Sequence, residues 1–580
     1  MAAIEAGEPR QYLKLFPLVT LTLMVGPLVA GLLGTLLPAF GYLPALGGDT
    51  ISLEPWRQLF ASPGLGRSVW LSVSTGFGAT IISLTIVTLF CAAWHGTGWF
   101  TQMQRLLSPL LSVPHVSVAF GIAFLIAPSG WVMRAISPEL TGLTRPPDLT
   151  IVNDPSGLAL MLGLVVKEVP FLLLMTIAAL GQVRADETRL VTTTFGYGRM
   201  VGWLKGTFPR IYSQIRLPVL AVLAFSMSVV DVALVLGPTT PPTLSVQLLR
   251  WMNDADLEMR FLASAGAILQ LGLVIGALLI WWLGERVVGR FGRAWAAAGG
   301  RGLRDLPIRL AIGGVMAIVS AAVLLGLAGM AIWSFAGLWR FPDFLPDAWS
   351  LRIWMRQADG LISLTSDTAL LGIAATVVAL VLVLGCLERE AAGLKRQRQI
   401  GGMDQRARIL WLIYLPLLVP QIAFLFGLQV LLITVGLDQL WIALVIAHLV
   451  FVLPYLFLSL GDAYRAWDQR YARTGLCLGA SPLTIWLRVK VPMLLPPILI
   501  AAAVGFAVSI GQYLPTFLVG GGRFATLTTE AVTLAAGGDR RVIGAVTLLQ
   551  MMLPFLAFTL AMVLPALLFR RRAGMLANRV

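Results

Sequence analysis

Charge is scarce in this chain. Asp, Glu, Lys and Arg make up 12% of its 580 residues, against roughly a quarter in a soluble globular domain, and that excludes an ordinary soluble fold. Lysine is scarcest of all: only Lys14, Lys167, Lys205, Lys395 and Lys490 occur, and none follows a glycine. A G-x-x-x-x-G-K-[ST] phosphate loop therefore cannot be written in this sequence. Three histidines and three cysteines, widely separated, leave no material for a metal cluster, a nucleophile triad or a disulfide framework. No carboxylate dyad stands out either, so no catalytic residue is expected. The cysteines, Cys91, Cys386 and Cys477, fall on the side that the basic residues mark as cytoplasmic, and disulfides are not expected there.

What the chain has in abundance is apolar sequence, 58% of it. About 20 consecutive apolar residues cross a bilayer as a helix, and twelve runs qualify. They lie near 15–38, 68–93, 107–127, 157–180, 213–237 and 261–283, then near 308–335, 366–387, 409–434, 440–460, 498–519 and 545–569. The first run follows Arg10 and Lys14 as a signal peptide would, yet it is too long for such a segment and is expected to remain as a helix. Lys and Arg gather in the termini and alternate loops, which puts both termini in the cytoplasm. The net charge of +15 is thus topological, and nucleic-acid binding is not the reading of it.

The second half repeats the first. GYGRMVGWLKGTFP at 196–209 returns 283 positions later as GASPLTIWLRVKVP at 479–492, with Gly196 facing Gly479, Trp203 facing Trp486, Leu204 facing Leu487 and Pro209 facing Pro492. The offset holds onward through Ser226 and Ser509 and through the segments beginning at Thr243 and Thr526. Upstream, Pro114 and Gly121 match Pro420 and Gly427 at an offset of 306. The 23-residue difference falls in a longer outer loop of the first half. Residues 293–305, small, Gly-rich and basic, suit a connector. The expected fold is an all-α membrane protein of about twelve transmembrane helices in two parallel six-helix repeats: 1–295, a cytoplasmic linker at 296–306, and 307–580.

In the second copy Gly479 can end a helix in the left-handed conformation, and Ser481 and Pro482 then make a good helix start. Leu483, Trp486 and Leu487 share one stripe, with Arg488 and Lys490 on the polar side. Met200, Trp203 and Leu204 form the matching stripe of the first copy. So short a helix is marginal in water, and something must cover it. The headgroup layer is one answer; a groove on a cytosolic partner is the other.

The spacing Gly479…Val489-Lys490-Val491-Pro492 resembles the cytoplasmic EAA loop of ABC importer permeases, and YARTGLCLGASPL resembles the fused type I permeases of iron(III), thiamine, sulfate and polyamine uptake. The resemblance implies a transport subunit rather than an enzyme. Its two loops would couple to two copies of a cytosolic ABC ATPase. ATP and magnesium would bind on that partner and no cofactor on this chain, and an extracytoplasmic binding protein would deliver the substrate through the bacterial inner membrane. The family's acidic residue six positions before the glycine is Arg473 here and Leu190 in the first copy, and Gly206 replaces a first-copy aliphatic.

Ionisable groups at membrane depth are functional candidates by default. Lys167 and Glu168 sit adjacent in the fourth run and Asp231 in the fifth, with Gln512 on the matching run of the second half; His115, Gln421, Gln429 and His448 are further polar positions. Mutual satisfaction between helices competes with a pathway or proton-relay role. On the latter reading the chain is a proton-coupled secondary transporter of six-plus-six topology. LGPTTPPTLS and VGGGRFATLT read as loops at the outer mouth, either plain helix stops or a lid that meets the binding protein.

Overall fold

In a computed structural model, residues 12–302, 304–397, 405–438 and 440–570 are described; the extreme termini and Leu303 in the connector lie outside that set. Among the described residues the chain is helical, with no strands. Ten helices among the described residues are long and apolar enough to cross a membrane, twelve if each of two bent pairs counts as one. In hydrocarbon every backbone N–H and C=O must be satisfied internally, which only helices and closed barrels achieve.

Four runs expected to be continuous are interrupted. Residues 409–434 bend by 95° between Leu412–Leu418 and Gln421–Val435. Pro420 starts the second piece because it has no N–H to extend the first, and Pro114, its counterpart, starts His115–Ile126. The fifth run breaks between Phe208–Ser228 and Asp231–Leu236, and its second-half equivalent between Leu495–Ile510 and Leu514–Gly520. Carbonyls freed at these breaks find partners. Gln270 Nε2 donates to the Met227 carbonyl at 2.9 Å. In the second half Thr528 donates to the Ile510 carbonyl, while Gln550 Nε2 donates to Thr528 Oγ1 at 2.6 Å.

The two sets of helices share several matched contacts. Met227 lies against Gly76, and Ile510, 283 positions on, lies against Gly372. The Leu244 N–H donates to Ser72 Oγ at 3.0 Å, and the Leu527 N–H to Thr368 Oγ1 at 2.9 Å. These bonds also correct the expectation that the Thr-Leu segments are loops throughout: Leu244–Met252 and Leu527–Leu534 are helices with buried starts, and the irregular stretches are 237–243 and 521–526 before them.

Each set also lends its first helix to the other. Leu15–Ala39 packs along Gln421–Val435, and Leu306–Phe335 packs along His115–Ile126. Both crossings run through facing glycines. A Cβ on Gly34 would sit 2.6 Å from the Gly427 carbonyl oxygen, and one on Gly326 would sit 2.9 Å from the Gly121 carbonyl carbon. Small residues let backbones meet this closely, the general route to helix association in lipid. At the first crossing the Gly427 N–H also donates to Thr35 Oγ1 at 3.1 Å.

Candidate functional site

The two repeated loops lead into Phe208–Ser228 and Leu495–Ile510. In the second copy the helix Arg470–Cys477 ends at Gly479, whose φ of +79° is the left-handed turn that glycine adopts without strain. Ser481 then caps Pro482–Ile485, its hydroxyl oxygen accepting from the Thr484 N–H at 3.2 Å. Leu478, Leu483 and Leu487 are 81%, 66% and 53% exposed, a bare aliphatic surface. Pro492, half-buried, lies in the following turn Val491–Met493.

Trp486 and Lys490 point the other way. Residues Trp486–Lys490 form a π turn, whose extra residue per turn rotates the later side chains relative to an α-helical register. Lys490 is consequently buried rather than on a polar outer side. Its ammonium pairs with Glu388 at 2.6 Å and lies 4.0 Å from the centre of the Tyr464 ring. Trp486 Nε1 donates to Tyr464 Oη at 3.2 Å, and that hydroxyl donates to Glu388 at 2.5 Å. The chain Trp–Tyr–Glu–Lys thus bolts the back of the loop to Ala358–Gln397 and Trp441–Arg465.

The first copy differs. Gly196 also turns at positive φ, +74°, and Arg199–Gly206 is the short helix, but Met200 and Trp203 are buried and Leu204 half-buried. The expected apolar stripe is covered by this chain itself. Residues following the long helix Met259–Ala297 cross the loop: the Gly198 N–H donates to the Arg301 carbonyl at 2.7 Å, and the Met200 N–H to Asp305 Oδ2 at 3.1 Å. Lys205 Nζ donates to the Gly300 carbonyl at 3.1 Å and lies 4.7 Å from the Trp295 ring centre. Part of the expected connector, 293–297, is helical; the rest is this strap. The first copy's exposed apolar residues are instead Leu190, Val191 and Phe195, on and just after Ala185–Thr194. Pro209, exposed, opens Phe208–Ser228.

Within the spans the structure separates Lys167 from Glu168. The Lys167 ammonium donates to the carbonyls of Leu110, Leu111 and Val113 at 3.3, 3.2 and 2.5 Å, satisfying the irregular stretch before His115–Ile126. Glu168, buried, faces His115 Nε2 at 3.6 Å. His115 lies against Phe225, the rings tilted by 52° with centres 4.8 Å apart, and is within electrostatic reach of the half-buried Asp231. Tyr455 and Tyr513 of the second half lie within the same reach of Glu168 and Asp231 respectively. These groups therefore gather where the two sets of helices meet. Gln512 is buried beside Tyr513 at the second-half break. His448 is a structural tie, its ring nitrogens bonded to Ser509 at 2.8 Å and Thr516 at 3.0 Å. Among the described residues no group of three or more His, Cys, Asp or Glu could hold a metal ion.

The pairing of Glu388 with Lys490 and the strap over the first loop were not visible in the sequence. The signal nearest to the first was Lys490 itself, one of five lysines and set in an apolar context. No protein-family model matches the chain. It is 32% identical over 563 residues to the inner membrane ABC transporter permease protein YnjC of Escherichia coli, covering 96% of this chain and 97% of that one. Shorter matches are to the molybdenum transport system permease protein ModB of Mycobacterium tuberculosis, 38% over 81 residues (14% of this chain, 31% of the relative), and to the spermidine/putrescine transport system permease protein PotC of Haemophilus influenzae, 24% over 142 residues (24% and 55%). With a relative aligned over nearly its whole length, and with an all-helical body rich in candidate membrane spans among the described residues, the chain belongs to the inner-membrane permeases of ABC transporters.

Proposed function

We propose that this permease is the fused membrane subunit of an ATP-driven importer, its halves 1–295 and 307–580 each docking one copy of a cytosolic ATPase. The observation that carries the reading is the second loop: exposed Leu483 on the helix capped by Ser481, with exposed Leu478 before it and Leu487 in the π turn after it, at the family's coupling position. A bare aliphatic surface rigidly backed by an ion pair suits a partner that must push on it. Gly479, Ser481, Leu483, Leu487 and Pro492 shape that docking helix, and Trp486 anchors it. Gly196, Met200, Trp203, Leu204 and Pro209 shape its first-half counterpart. ATP and magnesium bind on the partner, and this chain contributes no hydrolysis.

The substrate path runs between the halves, past Glu168, Asp231 and Gln512, with Lys167 fixing the backbone beside it. Both termini and the two loops face the cytoplasm, and an extracytoplasmic binding protein supplies the substrate on the other side. The relatives transporting molybdenum and spermidine/putrescine share the architecture, and their cargoes differ too much to name the one carried here.

The test is purification in a gentle detergent from the native membrane, with co-purifying chains identified by mass spectrometry. A phosphate-loop ATPase at two copies per permease, lost when Gly196 and Gly479 are both changed to bulky residues, supports the proposal. Transport in inside-out vesicles that follows the proton gradient and ignores ATP overturns it in favour of secondary transport.

A further inference from the structure

The two halves differ at one place where their backbones correspond. Leu158–Gln182 and Trp441–Arg465 are 283 positions apart end to end, so Gly181 corresponds to Tyr464. By the loop offset Trp203 corresponds to Trp486 and Thr207 to Lys490. The second helices are related by 296 positions, as Ser72 with Thr368 and Gly76 with Gly372 establish, so Ala92 corresponds to Glu388. Where the second half holds a phenol, a carboxylate and an ammonium behind its loop, the first half has Gly181, Ala92 and Thr207.

Beside Ala92, the counterpart of Glu388, lies a cavity of about 170 Å³ whose lining includes His95, Arg189, Tyr197, Arg199 and Trp203. Trp203 is 6% exposed, and its indole N–H is buried with no acceptor; in the second half the equivalent N–H reaches the Tyr464–Glu388 pair. The Arg189 guanidinium makes no hydrogen bond or ion pair with a described residue. Arg199 donates to the His95 carbonyl. Burial holds the Arg199 guanidinium below its ordinary range, with repulsion from Arg189 and Arg309 adding to the effect and Asp305 opposing it. Burial likewise holds the His95 imidazole low, against the attraction of Asp186. The Thr192 and Thr193 hydroxyls are committed to the Arg189 carbonyl, so the donors left over among the lining residues are the two guanidinium groups, the indole, the His95 ring and the Tyr197 hydroxyl.

An orphaned buried donor costs free energy until it meets an acceptor, and guanidinium groups prefer oxyanions, which they grip with paired N–H groups. We propose that this cavity binds a small oxyanion of the phosphate class, as free phosphate or as a lipid headgroup, which takes the place that the Glu388 carboxylate fills in the other half. The bound anion would brace the first loop from behind as Glu388 braces the second. The site stands on the geometry of this chain alone and does not depend on which ATPase or substrate the transporter uses.

The experiment is equilibrium dialysis of radiolabelled inorganic phosphate against the whole permease in zwitterionic-lipid nanodiscs, at constant ionic strength in chloride. Saturable binding of one phosphate per chain is expected. Trp203→Phe, which keeps the ring and removes the N–H, weakens it about tenfold, and the Arg189→Gln/Arg199→Gln pair weakens it by more. Ala92→Glu, which supplies the carboxylate internally, abolishes binding while the melting temperature holds or rises, so loss of fold cannot mimic the result. If a headgroup is the occupant, native mass spectrometry finds one anionic lipid retained from the membrane, displaced by phosphate and lost in the same variants. The proposal is overturned if neither phosphate nor an anionic lipid binds saturably, or if binding is indifferent to Ala92→Glu and Trp203→Phe.

Discussion

Replacing Leu483 and Leu487 together by serine tests whether the second loop is a docking surface. The two side chains keep 66% and 53% of their surface exposed. Fully burying an exposed leucine is worth about 1.5–3 kcal/mol, so a partner that covers the remainder gains about 1–2 kcal/mol from each and about 2–4 kcal/mol from the pair. At tenfold per 1.4 kcal/mol, the double variant should weaken ATPase attachment roughly 30-fold to several-hundred-fold. Neither side chain belongs to the permease core, so its melting temperature should stay put. The assay is titration of the purified permease with its ATPase, followed by fluorescence anisotropy, beside a thermal melt of the permease alone. Attachment unchanged within about threefold, with the fold intact, would refute the reasoning and leave the headgroup layer as the surface that covers these leucines. The matched change in the first copy behaves differently. Met200, the counterpart of Leu483, is buried, so Met200→Ala empties a packed site and should lower the melting temperature by the equivalent of about 2–5 kcal/mol.

Other outcomes rest on the packing. Gly427→Leu, forced against the backbone of Leu15–Ala39, should destabilise by about 1–3 kcal/mol or more in a thermal melt, whereas Gly272→Ala, with nothing near its added Cβ, should not. Lys167→Met leaves the carbonyls of Leu110, Leu111 and Val113 without their donor and should cost about 1–3 kcal/mol, read in the same melt. Asp305→Ala removes the acceptor of the Met200 N–H, so hydrogen exchange should quicken over residues 198–202 and leave residues 481–485 unchanged. Asp539, held below the usual carboxylate range chiefly by its bond to Arg541, caps the last long helix. A group whose folded pKa is depressed stabilises above its unfolded value and ceases to do so as pH falls through the folded one. Wild type should therefore lose its advantage over Asp539→Asn on acidification below the ordinary carboxylate range, in melts taken across pH.

Much of the fold was legible because lipid imposes long apolar runs, and runs survive any error in register. The left-handed Gly479 and the Ser481 cap were legible for a related reason: both are local conformations that one or two residues dictate. The direction of Lys490 was not, because a single π turn breaks the periodicity on which a helical stripe is read. Burial of Met200 and Trp203 was hidden too, since it depends on helices distant in sequence such as Leu65–Trp94, and the residues that bond to the loop, Arg301 and Asp305, arrive from about 100 residues further on. Lys167 and Glu168 are neighbours in sequence, yet they serve backbone and interior separately. Nothing in their adjacency distinguishes a carbonyl anchor from a member of the buried cluster.

The exchanged first helices set a schedule for synthesis. Leu15–Ala39 meets its glycine-matched partner at Gln421–Val435, about 400 residues later, and translation at about 5–20 residues per second makes that a wait of roughly 20–80 seconds. Throughout it the notch formed by Gly31 and Gly34 must face lipid or an insertion factor. The helix closes on its mate only after the whole first half and part of the second have entered the bilayer. Maturation of this permease is therefore paced by the ribosome, and a pause before codon 421 would prolong the interval in which a half-built molecule is open to proteolysis.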